Sequence, residues 1–67
     1  MNASKALTKT LHIRRLTARQ LALTSGVDKA TLSLIINEKT NPRLQTIVAI
    51  CEAVDMKVSH FCQLGEN

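Results

Sequence analysis

Residues 17–37, TARQLALTSGVDKATLSLIIN, constrain the fold more than any other stretch, because they confine two short helices to either side of a single glycine. Thr17 and Gln20 form a capping-box pair: the hydroxyl accepts from the amide of the third helical residue, and the glutamine side chain reaches back to the amide of the cap. A helix is therefore predicted to start at Thr17. Leu21, Ala22 and Ser25 fall on one side of it, and Gly26 supplies the left-handed backbone that ends it. Val27 is expected to be the buried residue of the turn. Asp28 is expected to cap the second helix by accepting from the amide of Ala30 or Thr31, with its charge at the positive end of the helix dipole. Leu32 and Ile35 then point inward.

The flanks read as helices too. Ser4 is a suitable cap for a first helix running to about Arg15, with Leu7 and Leu11 as its buried stripe and Lys5, Lys9, Arg14 and Arg15 outside. Residues 38–43, EKTNPR, form a loop in which Pro42 biases Asn41 toward an extended backbone. A fourth helix is predicted from about Leu44 to Val54, with Leu44, Ile47, Val48, Cys51 and Val54 as its apolar face and Ile50 beside that face. Asp55 takes an exit position where glycine is commoner, and a last helix from about Val58 to Leu64 closes the core with Phe61. The only aromatic is Phe61, and no Asn-Gly or Asp-Gly hairpin signal occurs. The expected fold is all-α, a compact five-helix domain spanning residues 1–67.

A single domain of 67 residues buries only about 60% of its unfolded surface, so a partner copy would add useful stability. The net charge of +4 is unevenly distributed. Residues 1–43 hold eight Lys/Arg against Asp28 and Glu38, net +6, whereas residues 44–67 hold Lys57 against Glu52, Asp55 and Glu66, net −2. A basic half suits a polyanion, because each phosphate neutralised releases counterions. Cys51 and Cys62 occupy apolar positions and read as small buried hydrophobes with free thiols, which fits a reducing cytoplasm. His12, His60 and the cysteines match no zinc spacing, so neither metal nor cofactor is expected. No apolar run approaches the roughly 20 residues that span a bilayer. The acid-free N-terminal segment has the composition of a transit peptide, but its removal would delete the start of the helix pair, so it reads as mature structure.

Leu16, Thr17, Leu21, Ala22, Gly26, Val27, Leu32, Ser33 and Ile35, at these separations, resemble the phage-repressor and Cro-like (Xre-like) helix-turn-helix family. Asn41-Pro42, Leu44, Thr46, Ile47, Ile50, Ala53 and Val54 resemble its fourth helix, and Met56, Val58 and Phe61 its fifth, so the likeness covers nearly the whole chain. In such domains the first motif helix crosses the DNA backbone and the second lies in the major groove. The resemblance thus implies backbone contact by Thr17 and Ala18, base readout by Lys29, Ala30 and Ser33, and phosphate contact by Arg19, Lys39, Asn41 and Arg43.

Several positions depart from the family pattern. Ala18 stands where glutamine is usual, Glu38 replaces a loop glycine, and Arg43 replaces a capping Ser or Thr. Leu11 and Ile36 together replace a partly buried ion pair, an exchange that is often neutral or stabilising when both partners change, and they are expected to touch across helices one and three. Leu34 is apolar where a polar group is usual, which leaves open inert surface, a methyl contact in the groove, or a protein-binding patch.

The resemblance implies a cytoplasmic, nucleoid-associated transcriptional regulator of bacterial or phage origin: a homodimeric repressor that binds double-stranded DNA at a palindromic operator. The alternative is a protein-interaction module of the same fold, an antitoxin or antirepressor that holds a toxin or other partner through Leu34, Ile50 and helix five. No catalytic constellation can be assembled, so an enzyme is not expected.

Overall fold

Five helices follow one another in the computed structural model: α1 Ala3–Arg14, α2 Ala18–Ser25, α3 Lys29–Ile36, α4 Leu44–Ala53 and α5 Val58–Glu66. Residues 1–66 are described; Asn67, the last residue of the expected domain, lies outside the described residues. No strand occurs among the described residues.

The central pair forms as its residue types dictate. At the start of α2 the Thr17 hydroxyl accepts from the Gln20 amide at 3.1 Å, and Gln20 Oε1 accepts from the Thr17 amide at 2.8 Å. Gly26 closes the helix at φ 77°, its amide donating to the Ala22 carbonyl at 3.0 Å. Val27 is half-buried and packs against the core. Asp28 does occupy the cap position of α3, but its side chain makes no capping bond; only its carbonyl engages the helix, accepting from the Leu32 amide at 3.1 Å. The exposed carboxylate is left with the dipole interaction alone.

Other boundaries differ from the sequence reading for identifiable reasons. Asn2, not Ser4, caps α1, its side chain accepting from the Lys5 amide at 3.0 Å, because an Asx residue was available two positions earlier. Ser4 is thereby freed, and its hydroxyl donates to the carbonyl of Ile36. Lys9 is half-buried rather than outside. In α4 the buried set is Ile47, Ile50 and Cys51, continued by Val54. Ile50 is 1% exposed and belongs to the core, whereas Leu44 is 69% exposed. A stripe counted from Leu44 puts Ile50 off the face; counted from Ile47, the spacing three, four, seven includes it. Asp55 takes the left-handed exit at φ 52°, and α5 continues past Leu64.

The core is drawn from all five helices, with Leu7, Leu21, Leu32, Ile35, Ile50 and Phe61 among its buried members. α1 packs on α5 and α3, and α2 packs on α3 and α4. Leu11 and Ile36 are both half-buried against this core, on helices that pack together.

α1 also serves as a brace. Ser4 satisfies the last carbonyl of α3, and Arg14 Nε donates at 3.0 Å to the carbonyl of Val54, the residue that ends α4. Each bond serves a helix-end carbonyl that has no intrahelical partner. Beside Ser4, at the start of the brace, the Asn2 amide donates to the Gly65 carbonyl at 3.2 Å. A Cβ on Gly65 would lie 2.8 Å from the Asn2 carbonyl oxygen, so only glycine permits that approach.

Candidate nucleic-acid interface

Leu32 and Ile35 fix one side of α3 in the core, and their burial decides what the other side presents. Lys29, Ala30, Ser33, Leu34 and Asn37 are all exposed. Ala30, Ser33 and Leu34 stand at spacings of three and four, so they share one outward face. Lys29 and Ala30 occupy its N-terminal turn, the part of such a helix that approaches base edges in a groove.

α2 packs against α3 and presents its own N-terminus. There the capping box consumes two of the available donors, since the amides of Thr17 and Gln20 are paired with each other's side chains. The amides of Ala18 and Arg19 have no acceptor among the described residues. Two free N–H groups at the positive end of an eight-residue helix suit a phosphate oxygen. The free donors thus lie one residue further along than the pair Thr17 and Ala18, because Gln20 occupies the Thr17 amide. Arg19 itself is exposed beside them.

Lys39, Asn41 and Arg43 are exposed in the segment joining α3 to α4. The Lys39 amide donates to the Leu34 carbonyl at 2.8 Å and so fixes where this segment leaves α3. Arg43 occupies the cap position of α4 without a side-chain bond, while its carbonyl accepts from Thr46 and Ile47. Its guanidinium remains available. Glu38 carries left-handed backbone at φ 59°, the conformation that a glycine would adopt freely, and Asn2 Nδ2 approaches its carboxylate at 3.5 Å. Arg14, counted in the basic half, is engaged at the end of α4 instead.

Sequence reasoning missed Asn37. Its Nδ2 donates to the Ser33 carbonyl at 2.9 Å and to Ser33 Oγ at 3.3 Å. The signal was the spacing of four between them on an exposed helical face.

Outside this surface little chemistry is assembled. A depression of about 270 Å³ lies between the N-terminus and the α3–α4 segment, lined by Asn2, Ser4, Glu38 and Asn41 among others. It falls below the usual range of ligand pockets, about 300–1,000 Å³. No group of three or more His, Cys, Asp or Glu residues that could hold a metal ion occurs among the described residues. Cys51 and Cys62 are free thiols; burial, and secondarily the nearby Cys62, push the Cys51 thiol up. No helix among the described residues is long and apolar enough to cross a membrane.

A comparison with curated proteins finds no match. The family model for the Cro/C1-type HTH DNA-binding domain, however, matches residues 6–65, from the body of α1 to the end of α5. With five helices in the expected order and a capped, glycine-joined pair at the centre, the chain belongs to the Cro/C1-type HTH DNA-binding domain family.

Proposed function

We propose that residues 1–67 act as a single sequence-specific repressor domain that binds a palindromic operator as a homodimer in the cytoplasm of a bacterium, on chromosomal or phage DNA, and that it is not an enzyme. The observation that carries this reading is the outward face of α3, held by Leu32 and Ile35, with Lys29, Ala30 and Ser33 in solvent and free amides at the adjoining start of α2. In this reading α3 lies in the major groove. Lys29 donates to guanine O6 or N7, and Ala30 and Ser33 meet neighbouring base edges. The amides of Ala18 and Arg19, the Thr17 hydroxyl, and the side chains of Arg19, Lys39, Asn41 and Arg43 hold phosphates. The domain measures 26 × 25 × 21 Å, so two copies fit side by side on half-sites one DNA turn apart, about 34 Å.

The competing reading is an antitoxin or antirepressor that binds a toxin or other protein. Exposed Leu34 favours it, but Ile50, expected in the same patch, is in the core. Fluorescence anisotropy against selected and random duplexes at two salt concentrations separates the two. Lys29→Ala should cost about 1–3 kcal/mol on the selected site and relax one base preference. Arg43→Ala should weaken selected and random DNA alike and reduce the salt slope by about one. Equal loss of specificity in both variants would refute the division of roles. Unchanged DNA binding in the double variant would favour the protein-partner reading.

A further inference from the structure

On the reading that α3 enters the major groove, we infer that Leu34 is a specificity-determining residue which, with Ala30 and Ser33, selects thymine through its C5-methyl group. Leu34 is 47% exposed on the face opposite the core, one helical turn beyond Ala30. The two side chains form a short apolar strip bordered by Lys29, Ser33 and Asn37. On α3 and at its C-terminal cap the exposed residues beside the strip, Lys29, Ser33 and Asn37, are polar.

The strip's surroundings specify its occupant. Exposed cations stand on both sides of it in the chain, Arg19 before and Lys39 and Arg43 after. A polyanion drawn onto them brings base edges against α3. Ser33 adds direction. Its Oγ lies 3.3 Å from the Asn37 Nδ2 that donates to it, and its hydroxyl proton has no acceptor among the described residues. Asn37 takes one of the two lone pairs of Oγ, and the hydroxyl proton is left for an acceptor on a ligand. In the major groove, thymine is the base that presents an acceptor, O4, beside a methyl group. Cytosine offers a donor and no methyl, and the purines offer no methyl. A donor at 33 beside an apolar strip at 30 and 34 matches thymine on both counts.

The test removes only the methyl. Duplexes enriched from a randomised pool by the full chain are resynthesised with each thymine in turn replaced by deoxyuridine, which keeps O4 and base pairing. Kd should rise about fourfold at one or two positions per half-site, the factor that burying one methyl-sized group brings. Leu34→Ala should bind the thymine duplex more weakly and no longer distinguish deoxyuridine there, whereas Leu34→Met should still distinguish it. Circular dichroism confirms that each variant is folded, and the substitutions on the DNA side do not depend on any variant. If sequence selection persists but every deoxyuridine substitution is neutral, the methyl contact is refuted and groove reading stands. A methyl effect that survives Leu34→Ala would assign the contact to another residue and overturn this inference. A pool in which no sequence is enriched would refute groove reading itself, and this inference with it.

Discussion

Glu38 shows how one residue can be wrong for its backbone and still be kept. At φ 59° it occupies a region that costs a side chain about 1–2 kcal/mol relative to the right-handed helix, and the family places glycine there. That cost is offset by two backbone bonds that close α3, the Glu38 amide donating to the Ile35 carbonyl at 3.1 Å and the Lys39 amide to the Leu34 carbonyl at 2.8 Å, which glycine would keep. The side chain itself adds a long contact with Asn2 Nδ2 at 3.5 Å. Glu38→Gly should therefore stabilise the domain by about 0.5–1 kcal/mol, the relief of strain being partly offset by glycine's greater freedom in the unfolded chain. Chemical denaturation measures this directly. The same change removes a negative charge next to Lys39 and should raise affinity for random DNA at low salt. A destabilised variant would mean that the Asn2 contact outweighs the backbone term. By contrast, a Cβ at Gly26 would meet only open space, so glycine is required there for its φ of 77° and not for want of room.

Among the helices, the two motif starts make a controlled comparison. Thr17 donates and accepts through a complete capping box, whereas Asp28, also at a cap position, makes no side-chain bond. Thr17→Ala should cost about 1 kcal/mol and Asp28→Ala only a few tenths, the exposed dipole interaction being all that is lost. Thermal melts of the two variants check the ranking, and equal losses would show that Asp28 caps in solution. The same contrast explains how much was legible in advance. The capping box, Gly26, and the inward Leu32 and Ile35 are local features, fixed by spacings of three and four, and these define both the fold and the outward face of α3. Asn2 as the cap of α1, the bond from Ser4 to Ile36, and the bond from Arg14 to Val54 were not legible. The latter two join residues 32 and 40 positions apart, and no periodicity reports which helix end will lie beside which side chain. Ile50 was misplaced for a smaller reason: a stripe counted from the exposed Leu44 is out of phase with the one that the core uses.

For the molecule as a whole, a core of aliphatic side chains around one phenylalanine leaves stability sensitive to any charge that forms inside it. Cys51 is 2% exposed, and burial raises its thiol pKa above the ordinary value of 9.0. A raised folded-state value means that the unfolded chain loses this proton first, so the contribution is fully present below about 9 and is lost as pH rises through the folded-state value. Urea titrations from pH 8 to 10.5 should show stability falling with pH, and Cys51→Ala should flatten that dependence while lowering stability throughout. An identical slope in the variant would assign the alkaline loss to other groups. The brace formed by α1 has a different kind of consequence. Ser4 holds α3 through the carbonyl of Ile36, and Leu32 and Ile35 hold it from inside, so neither anchor uses Lys29, Ala30, Ser33 or Leu34. Substitutions on an exposed helical face unconnected to such anchors usually change stability by no more than about 0.5 kcal/mol each. These four positions can therefore vary while the scaffold persists, and a lineage of such domains could diverge in the address it recognises without first having to evolve a new fold.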